Sequence, residues 1–201
     1  TRELARMIER ARLDFVNLPD EEFDNPLGED TGAAVIFGAS GGVMEAALRT
    51  VAEVLENKTI DKVDYEVVRG TAPIKTATLN IAGMDVKIAV VSGMKAAHEL
   101  LTKVENGEEE YHFIEIMGCP GGCVNGGGQP IVPNYVREKN DIKALRASAL
   151  YRNDKANKLR KSHENPMVKT LYSEFFGEPG SHKAHEVLHT SYVDRSKSVV
   201  K

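Results

Sequence analysis

One stretch, Met117-Gly118-Cys119-Pro120-Gly121-Gly122-Cys123-Val124-Asn125-Gly126-Gly127-Gly128-Gln129-Pro130, limits what this chain can fold into more than any other. It holds both cysteines and packs five of the seventeen glycines into positions 121–128. Glycine at that density marks backbone that needs a positive φ, or that approaches something more closely than a Cβ allows. The apolar run from His112 to Met117 reads as a buried strand that delivers the loop to a sheet edge. Thiolates beside bare amide N–H groups suit an iron–sulfur cluster: sulfur ligates iron, and the N–H groups donate to inorganic sulfide and tune the potential. Two thiolates are too few on their own, because a 4Fe–4S cluster is usually held by four cysteines. The spacing is C-x3-C, unlike the C-x2-C of zinc ribbons and thioredoxin-like sites, and the residue three after Cys123 is Gly126. Either the cysteines are incidental, or further ligands come from protein outside these residues.

The rest of the chain reads as α/β. Leu4, Met7, Ile8, Ala11, Phe15 and Leu18 recur at helical spacing, which predicts an amphipathic helix over 1–18, followed by an acidic loop over 19–26. Ala33 to Phe37 reads as a short buried strand, Gly38 to Gly42 as a turn, and Val43 to Asn57 as a helix with Val43, Ala46, Ala47, Val51, Val54 and Leu55 on its inner face. A strand is expected over 63–69, and a hairpin over 74–91 turning at Ala82-Gly83. A helix over 94–104 and the 112–117 strand complete a β-α-β-β-β-α-β order, with the cysteine loop at a strand's C-terminal end, where open sheets tend to bind ligands. Asp141 to Ala156 reads as a helix with Ile142, Leu145, Ala149 and Leu150 as its apolar stripe. Asn165 and Pro166 fit the N-cap and first position of a helix over 167–176, and a last helix over 181–188 runs into a frayed basic tail.

Several functions are disfavoured. The Gly38–Gly42 turn is G-x-x-G-G with no Gly-Lys-Ser/Thr after it, so it matches neither the dinucleotide fingerprint nor a P-loop. A net charge of −4 argues against nucleic acid and against anionic membrane surfaces, and no apolar run approaches the ~20 residues of a membrane helix. Two cysteines four positions apart form no disulfide framework, which points to a reducing compartment and so to the cytoplasm. The chain begins Thr-Arg-Glu, a start consistent with a fragment. His182, His185 and His189 make an H-x2-H-x3-H pattern without a cysteine or carboxylate partner, more in keeping with histidines beside a helix C-terminus than with zinc. His98, His112 and the glutamates at 108–110 read as ordinary surface or strand residues.

Met117-x-Cys119-x-x-Gly122-Cys123-x-x-Gly126-Gly127-Gly128-Gln129-Pro130 resembles the third cluster-binding motif of FeFe hydrogenases, and Thr31 to Arg49 is similar to the same family. The two earlier motifs of that family, of the types TSCCP and MPC, do not occur here. The resemblance implies one lobe of the two-lobed catalytic domain, a mixed sheet with flanking helices over 1–139, followed by a wrapping helical small-subunit-like region over 140–201. It implies reversible reduction of protons to H2 at a 4Fe–4S cubane held by Cys119 and Cys123. Cys123 would also bridge to a diiron subcluster with CO, cyanide and dithiolate ligands. Met117, Phe37 and Gly38 would line the diiron pocket, with Gly122, Gly126, Gly127, Gly128 and Gln129 around the cluster. The implied partners are the N-terminal half of the same catalytic domain, which supplies the remaining ligands, and an electron carrier such as ferredoxin or flavoprotein/NAD subunits. The family resemblance extends to non-enzymatic iron–sulfur assembly scaffolds and to redox sensors. The scaffolds typically end in a tryptophan, which this chain lacks.

Overall fold

The computed structural model describes residues 1–22, 24 and 28–194. Its contacts divide the chain into a unit of Thr1–Asp24 with Asp30–Glu164 and a second of Asn25–Glu29 with Asn165–Lys201. In order, the helices and strands are α1 (Arg2–Arg10), α2 (Gly32–Val35), α3 (Gly42–Glu56), β1 (Ile74–Ile81), β2 (Met84–Ser92), α4 (Met94–Glu105), β3 (Phe113–Met117), α5 (Asn134–Arg137), α6 (Ile142–Ala156), α7 (Pro166–Leu171) and α8 (His182–Leu188). Among the described residues no helix is long and apolar enough to cross a membrane.

The first unit is built on a mixed sheet in the order β1-β2-β3, with β1 antiparallel and β3 parallel to β2. The hairpin turns at Ala82-Gly83, both at positive φ, as the sequence predicts. Along β2 the side chains alternate between two cores. Ile88 and Val90 pack with Met44, Leu48 and Ala52 of α3, together with Tyr65 and Val68. Ala89 and Val91 pack with Ala96, Ala97 and Leu100 of α4. A strand covered on both faces reads as a continuous apolar run, and Ile88 to Val91 is one.

Several expected elements differ. Ala33 to Phe37 is not a strand but α2 followed by a 3-10 turn at Ile36–Gly38. Thr31 caps α2 through the Ala34 N–H, and Gly32 N–H donates to Leu159 O, so the run's amides are satisfied without a strand neighbour. Residues 63–69 form a 3-10 turn at Glu66–Val68, so the sheet has three strands and not five. α1 stops at Arg10, before Arg12 at φ 55, and its apolar residues Leu4 and Met7 remain exposed, as does Phe15. β3 is an edge strand with Phe113 and Ile116 about two-fifths exposed, not a buried one.

The buried face of α3 is rotated from the expected one. It carries Met44, Glu45, Leu48, Arg49 and Ala52 with the expected Ala46, while Val51, Val54 and Leu55 point to solvent. The rotation follows from ion pairing. Arg49 is fully buried and donates to Glu45 at 2.8 Å, and to both carboxylate oxygens of Asp154 in α6 at 2.8 and 2.9 Å. Arg69 and Arg160 complete the network on Glu45, Asp64 and Asp154. α6 docks through Asp154 and, of the predicted stripe, through Leu150 against Gly38, while Leu145 and Ala149 are exposed. In the second unit Asn165 caps α7 with Pro166 at its first turn, as expected, and the helix passes into a π-turn at Tyr172–Phe176. The end of the predicted basic tail lies outside the described residues.

Candidate metal centre

β3 carries the chain directly into the cysteine loop, and the loop folds back on the sheet's edge. Met117 pairs with Ser92 of β2, and its carbonyl accepts from Gly93 N–H at 2.8 Å. The buried Ser92 hydroxyl accepts from Gly121 N–H at 3.0 Å. Gly122 N–H closes a turn onto Cys119 O at 2.9 Å, and Cys123–Asn125 form one 3-10 turn. The two thiols thus stand at either end of a single tight turn, both exposed and unbonded to each other.

The turn rests on the Phe37–Ser40 segment. Ser40 N–H donates to Gly121 O at 3.1 Å. Gly122 lies at φ 98, and a Cβ there would sit 2.6 Å from Ser40 N and 2.8 Å from Gly38 O. Gly38 in turn is pressed by Leu150 of α6, whose Cδ1 would lie 2.8 Å from a Cβ at that position. Phe37 is half-exposed beside this contact. Residues 37–38 and 119–123, which the family resemblance puts in one site, therefore lie side by side.

The other half of the loop is held by arginines through its carbonyls. The Arg146 guanidinium of α6 donates to Val124 O and Pro130 O at 3.1 and 2.9 Å. At the start of α1, Arg2 donates its main-chain N–H to Gly128 O at 3.1 Å and its guanidinium to Gly127 O. Gln129 N–H donates to Gly126 O. The N–H groups of Gly127 and Gly128 donate to no acceptor among the described residues, and both glycines are exposed. A Cβ at Gly127 would meet nothing within 4 Å. This half of the loop is thus two free donors on a face without side chains, beside two exposed thiols. That donor set fits two ligand positions of an iron–sulfur cluster, with N–H groups available to its sulfides. It does not fit a complete four-cysteine site, since the chain has two cysteines.

Two charged residues not singled out in the sequence organise this surface. Glu115, buried in β3, accepts from Gly41 N–H at 2.6 Å and Met44 N–H at 2.7 Å, and so caps α3 from another element. Lys75 of β1 donates to Ser40 O and Gly70 O, each at 2.9 Å. Both carry a legible signal: a lone charge within the apolar run Phe113–Met117, and a lysine on the same parity as Ala77, Leu79 and Ile81. His182 and His185 of α8 and His189 at its C-cap lie at the surface, with the rings of His185 and His189 4.2 Å apart. Among the described residues, the group that brings three potential ligand atoms together is Glu53, His163 and Glu164, and Lys161 already bonds both carboxylates.

Known proteins resemble this chain over most of its length. Residues 1–127 match the model of the iron only hydrogenase large subunit, C-terminal domain, and residues 140–195 match that of the iron hydrogenase small subunit. The NADP-reducing hydrogenase subunit HndD of Solidesulfovibrio fructosivorans is 47% identical over 197 residues, covering 98% of this chain and 33% of the relative. The cytosolic Fe-S cluster assembly factor narfl of Danio rerio is 27% identical over 195 residues, 94% of this chain and 46% of the relative. Among solved structures, a variant of the [FeFe]-hydrogenase HydA1 from Chlamydomonas reinhardtii superposes with a TM-score of 0.73 at 36% identity, covering 95% of this chain and 54% of that one. The chain spans about one third of the length of the curated hydrogenase it matches.

Proposed function

The chain belongs to the iron-only hydrogenase family, and on that premise we propose that it is the C-terminal part of a catalytic domain that interconverts protons and H2. Residues 1–139 are the large-subunit portion in this reading, and 140–201 the fused small-subunit portion. Cys119 and Cys123 would hold one side of a 4Fe–4S cubane, and the Cys123 thiolate would also tether a diiron subcluster bearing CO, cyanide and dithiolate ligands. When bound, that group supplies the electron and proton chemistry. The chain's own residues orient and enclose it: Gly122 brings the Ser40 turn close, Gly127 and Gly128 offer N–H donors, and Phe37, Gly38 and Met117 wall the diiron side. The remaining cubane ligands come from the N-terminal half of the same domain. An electron carrier of ferredoxin or flavoprotein/NAD type completes the circuit, in the reducing cytoplasm where both thiols stay available.

The observation that carries this reading is the pairing of two exposed thiols with two unfilled N–H donors on a glycine face. The sequence similarity to an assembly factor makes a non-enzymatic scaffold the second reading, supported at lower identity. The experiment is H2 evolution by the complete polypeptide after maturation, beside Cys119→Ser and Cys123→Ser. The hydrogenase reading expects evolution in the parent, and in Cys123→Ser loss of both activity and the diiron infrared bands. Cys119→Ser should perturb the cubane first. Bound iron without any H2 evolution selects the scaffold, and full activity in Cys123→Ser contradicts its bridging role.

A further inference from the structure

Lys75 opens β1 on the inward face, in line with Ala77 and Leu79, which pack against the α3 core. Its ammonium bonds two uncharged main-chain carbonyls, Ser40 O and Gly70 O, and no salt bridge among the described residues includes it. Burial pushes this lysine down to about 8, against the upward pull of the Glu115 carboxylate. A charge kept there at a desolvation cost is unexpected for packing alone, since methionine fills a similar volume without it.

What the ammonium holds explains the cost. The peptide joining Ser40 to Gly41 is gripped at both ends, its oxygen by Lys75 at 2.9 Å and its N–H by Glu115 at 2.6 Å. The next N–H back along the chain, that of Ser40, holds Gly121 O, and Gly122 is seated against the same turn. From Lys75 to Cys123 the path runs through one carbonyl, one amide and one glycine pair. We propose that Lys75 is a positioning residue for the cysteine loop: with Glu115 it clamps the Ser40–Gly41 peptide on which Gly121 and Gly122 rest, and so sets where the two thiols stand. The effect on a bound cluster rests on the hydrogenase-family reading above; the effect on the thiols does not.

The test uses the complete polypeptide carrying Lys75→Met or Lys75→Arg, with Lys87→Met, an exposed lysine of β2, as the control for charge. In cluster-free protein, the rates at which iodoacetamide alkylates Cys119 and Cys123 are measured. Lys75→Met should change them several-fold, Lys75→Arg should return them toward the parent, and Lys87→Met should leave them alone. In reconstituted protein, held where the parent cluster is half reduced, Lys75→Met should shift the cluster several-fold toward the oxidised form, because the clamp and its positive charge are lost together. If Lys75→Met does not fold, Lys75→Gln, which keeps one donor, takes its place with the same expectation. A lower melting temperature with unchanged thiol rates and an unchanged redox ratio would overturn the proposal and make Lys75 a structural residue only. A parent protein that binds no iron would refute the cluster reading, and the thiol rates would still decide the role of Lys75.

Discussion

Glycine does different work on the two sides of Cys123. Just before it, and in the turn beneath it, Gly41, Gly42, Gly121 and Gly122 are demanded by the chain itself, whereas a Cβ at Gly118 would meet nothing within 4 Å. A Cβ at Gly42 would lie 1.7 Å from Ile36 O, one at Gly41 2.0 Å from Val68 O, and one at Gly122 2.6 Å from Ser40 N. Gly41, Gly121 and Gly122 also sit at positive φ. After Cys123 the demand disappears. Gly126 has an ordinary φ of −64, and a Cβ there would meet only Cys123 O at 3.2 Å; at Gly127 it meets nothing, and at Gly128 only Thr1 N at 3.9 Å. Neither Gly127 nor Gly128 is at positive φ. The sequence treats the loop as one glycine-rich object. In the fold it is a shelf locked to its own chain and an open face that packing within the chain does not explain.

The sharpest way to break the locked side is to remove what presses α6 onto it. Asp154→Ala leaves Arg49 buried without its bidentate partner, and should cost about 4 kcal/mol, the scale for breaking a buried ion pair. Chemical denaturation would read it. Gly122→Ala follows, at about 3 kcal/mol, combining a positive φ with a backbone clash that cannot relax by side-chain rotation. On the open side Gly127→Ala should leave stability within about 1 kcal/mol of the parent, while shifting the potential of a bound cluster; equal stability losses at Gly122 and Gly127 would erase the distinction. The smallest effect concerns acid. Burial alone raises the Glu53 carboxyl, but Lys161, the Ile60 N–H and His163 together bring it down to about 2. Its contribution is therefore complete above the ordinary value of 4.5 and is lost as pH falls through about 2. Glu53→Gln should flatten the parent's stability loss across that window in an acid titration followed by circular dichroism.

Much of the scaffold was legible because it obeys short-range rules. The hairpin follows from alternation around Ala82-Gly83, and α7 follows from Asn165-Pro166. Cys119, Cys123, Phe37 and Gly38 were placed together by family resemblance, and the fold does bring the two segments into contact. The differences have one cause. Ala33–Phe37, a short apolar run, and Val63–Arg69, which mixes apolar and charged residues, take conformations that depend on distant partners: Leu159 O for the first, and Glu45 for the arginine that ends the second. A five-residue apolar run fits a strand or a buried helical turn equally well by periodicity. The same holds for α3, whose hydrophobic pattern points one way while Arg49 turns it toward an aspartate 105 positions later. Glu115 and Lys75 broke the pattern of their strands visibly, but what each one holds is main chain from another segment.

If the open glycine face and the two exposed thiols are one side of a cluster site, iron must depend on those thiols. The most direct measurement is iron per chain in the complete polypeptide after anaerobic reconstitution, for the parent and for the double variant Cys119→Ser/Cys123→Ser. The expected result is a loss of about four irons per chain, one cubane's worth, with the folded structure retained by circular dichroism. Unchanged iron in the double variant would contradict the cluster site, and would make both cysteines incidental to the loop that carries them.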